Sequence, residues 1–375
     1  MIYGGPTTIE QGYFVFTLMP SLRCPLNCPH CYLTPEQRGS DALLPLSELE
    51  TVCVNIRNYY ETRGILRKRI ICYWYGGEPT SMGQGYFVRA CDLIASVFSL
   101  ERGYHVTHAV LTSLINVDES WYPILGGRCA NRIQTSYDGL MRGRGYLQAW
   151  EAHARKVMQC GVRLSTVSVV NRELLTAGAA ATYEYLADLG IEQTSWLPFM
   201  LTERNASGSY DRFAPTMDEY SDFMIHLTRC RDDRIRRGRS APMIGQREFI
   251  LQKGFGQRAG NTAVQTLFLL PNGDLALPDY PDGRIERLTV FGNALSQSFE
   301  EVLNSETRRR YLRKQVQRNG NPECAGCTYS TRCIMEFWKP NRLGDDCFGA
   351  RRYIEWLLGK ETASSLVLPP AMTIS

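Results

Sequence analysis

Short apolar stretches alternate with longer amphipathic stretches over the first two thirds of the chain. The short stretches are rich in Val, Ile, Tyr and Phe, as buried strands are, and the longer ones carry apolar residues at helical spacing. This alternation predicts parallel strands joined by right-handed helical crossovers. The predicted strands are residues 13–20, 69–77, 104–113, 132–137, 163–170 and 193–200, and the predicted helices are residues 46–60, 85–100, 118–125, 146–160, 176–189 and 217–236.

Six strand–helix units fit either an open doubly wound sheet or an incomplete barrel, and periodicity does not choose between them. The pattern becomes turn-rich towards the carboxyl end, where Asn272-Gly273 lies between apolar runs and predicts a hairpin. Four cysteines then fall close together in the tail. We therefore predict a barrel-like region over residues 1–240 and a small metal-stapled region over residues 241–375.

The composition is that of a globular protein, with 44% hydrophobic and 21% charged residues. The net charge of +4 is small for 375 residues and gives no reason to expect a nucleic-acid partner. No apolar run approaches the ~20 residues of a membrane span, and the first ten residues lack the basic and apolar parts of a signal peptide. We expect a cytoplasmic protein with no membrane partner.

The 13 cysteines are many for a chain of this length. In a reducing cytoplasm, clustered cysteines indicate metal ligation rather than disulfides. Seven of them form two groups near the two ends of the chain. The others occur singly, where a cysteine is usually a small buried hydrophobic residue: Cys53, Cys72, Cys91, Cys129, Cys160 and Cys230.

The first cysteine group is Cys24-Pro-Leu-Asn-Cys28-Pro-His-Cys31, directly after the first predicted strand. Three thiolates on one loop can hold three irons of a four-iron cluster and leave the fourth iron open. A structural zinc site would need a fourth protein ligand, and His30 is sterically awkward beside Cys31. With Tyr32 following, the motif resembles the cluster loop of the radical S-adenosylmethionine (SAM) superfamily, in which an aromatic residue usually stands where His30 is.

A second motif, Gly76-Gly77-Glu78-Pro79, ends the second predicted strand. Glycines allow a backbone to approach a ligand closely, and a carboxylate can bind an ammonium group. The radical SAM superfamily carries a similar motif at this place. The resemblance implies that these residues hold the amino group of SAM.

The resemblance extends to the ends of the third and fourth predicted strands, which is where ligands gather in parallel sheets. Ser113 ends the third strand, and Ser136 corresponds to a serine that helps bind SAM in relatives. Asp138 lies in a Ser-Tyr-Asp-Gly segment like that of peptide-modifying and dehydrogenating members, and we predict it as a catalytic residue. Arg142 or Arg144 would meet the SAM carboxylate.

The second cysteine group consists of Cys324, Cys327 and Cys333, with Cys347 farther along the chain. By itself, such a group could be a zinc knuckle. The flanking sequence, however, resembles a SPASM domain, the C-terminal extension of many radical SAM enzymes. The matching pieces are residues 270–274, residues 291–294, a predicted helix over residues 299–315, and the cysteine spacing itself.

A full SPASM domain binds two auxiliary four-iron clusters, and this sequence departs from that ligand set. Phe337 stands where the core motif ends in a cysteine, and the segment Leu277-Pro278-Asp279 lacks the cysteine expected after the hairpin. In the family both absent cysteines serve the first auxiliary cluster. The resemblance therefore implies one auxiliary cluster, held by Cys324, Cys327, Cys333 and Cys347.

The expected fold is thus a partial (β/α)6 TIM barrel with a small iron–sulfur-stapled C-terminal SPASM-like domain. The resemblance also implies that flavodoxin, ferredoxin or a similar donor reduces the first cluster, that SAM is cleaved to a 5′-deoxyadenosyl radical, and that this radical abstracts a hydrogen atom from the substrate. Asp279 and Tyr280, at the place of the absent cluster, are candidate catalytic residues beside the substrate.

Three functions remain open on the sequence. The first is modification of a peptide or protein by a crosslink, an oxidation or an epimerisation, although few residues precede Cys24 and no leader-peptide-binding domain is expected there. The second is a dehydrogenase or epimerase of a small molecule in natural-product or sugar biosynthesis. The third is a non-catalytic zinc protein.

Overall fold

The computed structural model describes residues 9–251, 262–280, 285–316, 322–330, 332–333 and 343–365. Within them, ten strands form one sheet. The strands are β1 Phe14–Leu18, β2 Lys68–Trp74, β3 Tyr104–Thr112, β4 Arg132–Ser136, β5 Arg163–Val169, β6 Gln193–Leu197, β7 Met243–Ile244, β8 Thr266–Leu269, β9 Asp274–Asp279 and β10 Arg287–Asn293. Their spatial order is β10-β9-β8-β1-β2-β3-β4-β5-β6-β7.

Helices connect these strands and follow the last of them. Those of the described residues are α1 Pro35–Gly39, α2 Leu46–Thr62, α3 Gln84–Val97, α4 Tyr122–Arg128, α5 Arg144–Gln159, α6 Arg172–Ala177, α7 Ala179–Leu189, α8 Ser209–Phe213, α9 Met217–Arg236, α10 Gly245–Leu251, α11 Thr262–Gln265, α12 Phe299–Leu303, α13 Glu306–Val316, α14 Pro322–Ala325 and α15 Arg351–Ser365.

Strands β1 to β6 follow one another across the sheet and pair in parallel, which confirms the six predicted strand–helix units. The two-residue strand β7 extends the far side of β6. On its other side β1 pairs in parallel with β8, and β9 and β10 then add antiparallel strands. Among the described strands the sheet is therefore mixed and does not close, as expected of a partial barrel.

The predicted hairpin at Asn272-Gly273 joins β8 to β9. Gly273 has a φ of +83°, a left-handed conformation that glycine adopts without a Cβ penalty. Its amide donates to the carbonyl oxygen of Leu270 at 3.0 Å, which closes the turn. The hairpin directs β9 back along β8 and places Asp279 at the end of the returning strand.

Alternate residues of β2 face opposite layers, as the two-residue period of a strand requires. Ile70, Cys72 and Trp74 are fully buried, and the Trp74 ring lies 4.9 Å from that of Phe87 on α3. Tyr73 faces the opposite side, where its hydroxyl donates to Gln134 of β4 at 2.7 Å. The sheet thus has an apolar outer face under the helices and a more polar inner face.

Two predicted helices are each divided in two. The helix expected at residues 176–189 is interrupted at Gly178, whose φ of +85° does not continue a right-handed helix. The helix expected at residues 299–315 ends at Leu303 and starts again at Glu306. There Ser305 accepts a hydrogen bond from the amide of Arg308 at 3.3 Å, so a local side chain caps the second piece.

One hydrophobic core extends on both sides of residue 240. It includes Phe16 of β1, Leu267 of β8, Phe299 of α12 and Tyr353 of α15. The division into residues 1–240 and 241–375 stays a prediction. No helix among the described residues is both long and apolar enough to cross a membrane.

The prediction that single cysteines are small buried residues is confirmed for most of them. Four are buried, Cys230 is half-buried and Cys160 is exposed at the end of α5, where the prediction is wrong. All 13 cysteines lie within the described residues and none is in a disulfide.

Candidate active site

The first cysteine group forms a loop at the carboxyl end of β1, and each of its three cysteines is partly buried. The amide of Cys31 donates to the carbonyl oxygen of Cys28 at 3.1 Å, which folds the loop into a turn. The amide of Leu33 donates to the Cys31 sulfur at 3.4 Å. Burial raises the pKa of Cys24 to about 12, and the nearby negative charges of Glu78, Cys28 and Cys31 add to this effect.

These thiols fit an iron–sulfur cluster by their chemistry. Burial also raises the pKa of Cys28, and Asp138 and Cys31 raise it further, against a lowering by Arg142. Three partly buried thiolates would repel one another without a cation among them, and iron bound in place of their protons removes that cost. Three thiolates from one loop are also the ligand set of a cluster with one open iron.

The segment Gly76-Gly77-Glu78 packs directly against the backbone of this loop. A Cβ on Gly77 would lie 2.3 Å from the carbonyl oxygens of both Leu22 and Arg23, so only glycine fits there. The amide of Glu78 donates to the carbonyl oxygen of Arg23 at 2.8 Å. Gly76 has a φ of +116°, which favours glycine for a second reason. The two motifs of the sequence are thus brought into contact.

Glu78 is the buried acid at the junction of β2 and β3, with 3% of its surface exposed. One carboxylate oxygen accepts from the amide and hydroxyl of Thr80 and, at 2.7 Å, from the hydroxyl of Thr112. The other accepts from the amide of Ser113 at 2.8 Å and from its hydroxyl at 2.5 Å. All of these donors are neutral, so they orient the carboxylate without neutralising its charge. Pro79 follows it as the buried first residue of a short 3-10 helix.

The two candidate arginines have different environments. Arg142 is 7% exposed and Asp138 is 1% exposed, and their side chains form an ion pair with a shortest distance of 2.5 Å. Burial works against the charged guanidinium, yet the negative charge of Asp138 raises the pKa of Arg142 above its usual value. Its positive charge lowers the pKa of Cys28, which places it beside the cysteine loop. Arg144 is exposed at the start of α5.

The other carboxylate oxygen of Asp138 accepts from the amide of Val169 at 2.7 Å. Both oxygens are therefore engaged, one by Arg142 and one by the end of β5. These contacts support a positioning role for Asp138. Its predicted catalytic role stays a prediction.

Tyr146 joins this group, although no sequence motif singles it out. Its hydroxyl accepts from Arg142 at 3.0 Å and lies 3.4 Å from the carbonyl oxygens of Ser113 and Ser136. It thereby links the ends of β3 and β4 to the buried arginine. Arg142 precedes α5 and Tyr146 lies in its first turn, with Gly143 at a φ of +91° between them, so helical spacing in the sequence does not indicate their contact.

Two further residues hold the cysteine loop from the segment after β6. Arg204 donates to the carbonyl oxygen of Cys28 at 3.2 Å, and the Thr202 hydroxyl donates to that of Cys31 at 3.2 Å. Sequence reasoning missed both residues, because neither lies in a recognisable motif. They bind the backbone of the loop at Cys28 and Cys31, whereas Glu78 binds it at Arg23.

His30 lies inside this group rather than at the surface. Burial lowers its pKa to about 4, although Asp138 opposes the shift, so the ring is neutral near pH 7. Its Nε2 atom is 3.9 Å from an Asp138 oxygen, and its ring meets the edge of Phe199 at 6.2 Å between centroids. His30 therefore takes the packing place of an aromatic residue.

Asp279 and Tyr280 are buried at the end of β9, with 5% and 1% of their surfaces exposed. The ammonium of Lys314 on α13 donates to an Asp279 carboxylate oxygen at 2.8 Å and to the Tyr280 carbonyl oxygen at 2.7 Å. Tyr311 of the same helix donates to the carbonyl oxygen of Pro278 at 3.0 Å. The structure thus anchors these two residues to α13, and their predicted catalytic roles stay predictions.

The second cysteine group is brought together in part. Cys327 donates its amide to the carbonyl oxygen of Cys324 at 3.3 Å, so these two share one turn. A Cβ on Gly349 would lie 2.6 Å from the Cys333 sulfur and 3.6 Å from the Cys347 sulfur, which places both sulfurs beside this glycine. Burial raises the pKa of Cys347 to about 12. Among the described residues, which include all seven predicted cluster cysteines, no three His, Cys, Asp or Glu side chains are close enough to share one metal ion. A four-iron cluster differs from such a site, because each cysteine binds a different iron. Phe337 lies outside the described residues.

Comparison with known proteins identifies part of the tail, up to residue 328. Residues 262–328 match the SPASM family model, described as an iron–sulfur cluster-binding domain. The structure superposes on native anSMEcpe with bound AdoMet with a TM-score of 0.70 at 16% identity, over 94% of this chain and 99% of that one. The chain shares the fold of anSMEcpe, and its residues 262–328 match a SPASM domain.

Other proteins resemble this chain over a smaller part of their length. SuiB of Streptococcus suis, bound to its precursor peptide SuiA, superposes with a TM-score of 0.58 at 14% identity, over 86% of this chain and 71% of that one. The serine-type anaerobic sulfatase-maturating enzyme of Klebsiella pneumoniae is 26% identical over 232 residues, which is 58% of this chain and 54% of the relative. The corresponding enzyme of Klebsiella aerogenes is 25% identical over 232 residues. The chain thus spans about half the length of the curated relatives that it matches.

Proposed function

We propose that this protein is a radical SAM maturase that modifies a peptide or protein. The observation that carries the proposal is the packing of Gly77 and Glu78 onto the cysteine loop, because it joins a thiol triplet and a buried carboxylate in one place. Peptide substrates are supported by two similar structures, anSMEcpe bound to AdoMet and the Cp18Cys peptide and SuiB bound to SuiA.

In this proposal Cys24, Cys28 and Cys31 hold the first cluster, and Glu78 receives the amino group of SAM. Arg142 receives the SAM carboxylate, since it is the candidate arginine that lies beside Cys28. When bound, the reduced cluster and SAM would supply a 5′-deoxyadenosyl radical that takes one hydrogen atom from the substrate. Flavodoxin or ferredoxin would deliver the required electron.

The residues around the loop have supporting roles. Asp138 holds the Arg142 guanidinium in one orientation. Ser113 orients Glu78 through its hydroxyl and its amide. His30 and Phe199 fill the apolar side of the loop and exclude water from it. Asp279 is the candidate base at the substrate, held in place by Lys314.

Deoxyadenosine formation tests the proposed function. Anaerobically purified protein with SAM and a reductant should release 5′-deoxyadenosine, and the Cys24→Ala variant should release none. A purified protein that contains zinc and no iron would contradict the proposal and favour the zinc alternative.

Deuterium transfer tests the substrate class. Cell extract from deuterium-labelled cells is divided into a peptide fraction and a low-molecular-mass fraction, and each is added to the reaction. We expect deuterium to appear in 5′-deoxyadenosine with the peptide fraction. Deuterium transfer from the low-molecular-mass fraction alone would assign a small-molecule substrate instead.

A further inference from the structure

The segment that carries Cys347 is attached to helix α9, which follows β6 of the barrel. The Asp345 carboxylate accepts hydrogen bonds from the amides of Met217 at 2.9 Å and Asp218 at 2.8 Å. These amides belong to the first turn of α9, where backbone donors have no partner inside the helix. A carboxylate at this end is also favoured by the helix dipole.

Asp346 makes the second attachment. One of its oxygens accepts from the hydroxyl of Ser221 on α9 at 2.6 Å and from the amide of Arg352 at 3.1 Å. The other accepts from the amide of Cys347 at 2.8 Å. Ser221 is fully buried, so the contact belongs to a packed interface rather than to the surface. A single carboxylate therefore joins α9, the start of α15 and the backbone of Cys347.

Ion pairs surround this attachment on its exposed side. The Arg352 guanidinium reaches Asp222 at 2.6 Å and Asp218 at 3.2 Å, both on α9. Exposed pairs of this kind contribute little to stability. The hydrogen bonds of Asp345 and Asp346 are partly buried and charge-assisted, and these carry the attachment.

The attachment lies next to the cysteine sulfurs of the tail. Gly349 follows Cys347 by two residues. Its missing side chain leaves room for the Cys333 sulfur, which a Cβ would approach to 2.6 Å, and the Cys347 sulfur lies at contact distance, 3.6 Å from the same position. Ala350 returns its amide to the carbonyl oxygen of Cys347 at 2.7 Å, which closes the turn. The backbone of Cys347 is thus held on one side by Asp346 and on the other by its own turn.

We infer that Asp345 and Asp346 form a docking clamp that sets the position of Cys347, so that barrel helix α9 positions one ligand of the auxiliary cluster. Hydrogen bonds that orient a metal ligand in this way strengthen metal binding. The inference rests on the proposed function only for the presence of an auxiliary cluster. Asp345 and Asp346 are positioning residues, since they act through Cys347.

Iron content tests the clamp in the full-length, anaerobically reconstituted protein. About eight irons per chain are expected for two four-iron clusters. The Asp345→Ala/Asp346→Ala variant should fall about twofold, towards four irons, and should lose the electron paramagnetic resonance signal of the auxiliary cluster. The signal of the first cluster should persist, because Cys24, Cys28 and Cys31 are held by other elements.

Glu219→Gln is the matched control. Glu219 belongs to the cap of the same helix through Thr216 and pairs with Arg172, but it makes no hydrogen bond or ion pair with the tail among the described residues. We expect it to keep about eight irons. Equal iron loss in both variants would show that iron binding depends only on the stability of α9. That result would overturn the inference.

Two further outcomes separate this inference from the proposed function. Full iron content in the double alanine variant, with wild-type deoxyadenosine release, overturns the clamp and leaves the function standing. Wild-type protein that holds about four irons, with no loss in Cys347→Ala, overturns the auxiliary cluster and the clamp together. Absence of deoxyadenosine release from wild-type protein that holds both clusters counts against the function alone.

Discussion

Gly77 is the residue at which two distant parts of the chain are forced into contact. Its Cα lies so close to the loop before Cys24 that a single added carbon would overlap two carbonyl oxygens. Backbone atoms cannot move aside as a flexible side chain can, so the loop itself would have to shift.

We predict that Gly77→Ala lowers the free energy of unfolding by about 1–3 kcal/mol and reduces iron at the first cluster. Urea denaturation and iron analysis under anaerobic conditions measure both effects. Gly85→Ala in the first turn of α3 is the matched control, because an added Cβ there meets nothing within 4 Å. If the Gly77→Ala protein is as stable as the control, the loop can move aside without lowering the free energy of unfolding, and the prediction is wrong.

Arg142 and Arg144 are chemically identical neighbours with opposite exposure, which makes them a natural pair of test sites. A planar guanidinium binds a carboxylate through two parallel hydrogen bonds, whereas lysine offers a point charge. We predict that Arg142→Lys weakens SAM binding at least tenfold, about 1.4 kcal/mol, and that Arg144→Lys leaves it unchanged. Calorimetric titration of SAM into the cluster-loaded protein measures this, with iron content as the check on folding. Equal affinity in both variants would remove Arg142 from the SAM site.

At the scale of elements, α13 is connected to the end of β9 by a buried ion pair. Lys314 and Asp279 are 19% and 8% exposed at their side chains, so neither charge is well solvated when its partner is removed. Asp279 is a candidate from the sequence because of its place after the hairpin. Nothing in the local sequence indicates that Lys314 is its partner.

We predict that Lys314→Met destabilises the protein by about 3 kcal/mol, because it leaves the Asp279 carboxylate buried without its cation. Arg313→Met is the control, since Arg313 pairs with Glu306 at the surface and should change stability by less than about 0.5 kcal/mol. Thermal and urea unfolding of the two variants give the comparison. Adding Asp279→Leu to Lys314→Met should recover part of the loss, and failure to recover any would exclude the ion pair as the cause.

The elements themselves could be read from the sequence more readily than their contacts. Local patterns predict the six parallel strands and the hairpin at Asn272-Gly273. Because the two motifs follow parallel strands, these patterns also predict that the motifs lie at one edge of the sheet. The contacts of Thr202 and Arg204 with the cysteine loop depend on where a long connection returns in space. No local pattern encodes that return, so those residues were not predicted.

At the scale of the whole molecule, one sheet includes strands from both sides of the predicted boundary at residue 240. Strand β1 pairs with β2 on one side and with β8 on the other, and β8 lies beyond residue 240. The core on both sides of that residue is continuous. Hydrogen bonds and packed side chains therefore join residues on the two sides of the predicted boundary, which stays a prediction.

We predict that a fragment of residues 1–240 does not unfold cooperatively on its own. Removing β8 would expose the edge of β1 and the apolar side chains that Leu267 and Leu269 cover. Circular dichroism during urea titration of the fragment, compared with the full chain, tests this. A single cooperative transition in the fragment would support the boundary as an independent folding unit.

The place of β1 in the sheet also bears on how the cysteine loop responds to thermal fluctuations. Local opening of a protein begins at edges and termini, where backbone amides have few partners. The amides of Phe14–Leu18 lie between two neighbouring strands and should exchange with solvent among the slowest in the molecule. The loop that carries Cys24, Cys28 and Cys31 therefore begins from a part of the chain that opens late. These three cysteines should therefore keep their relative positions while the outer strands of the sheet open and close.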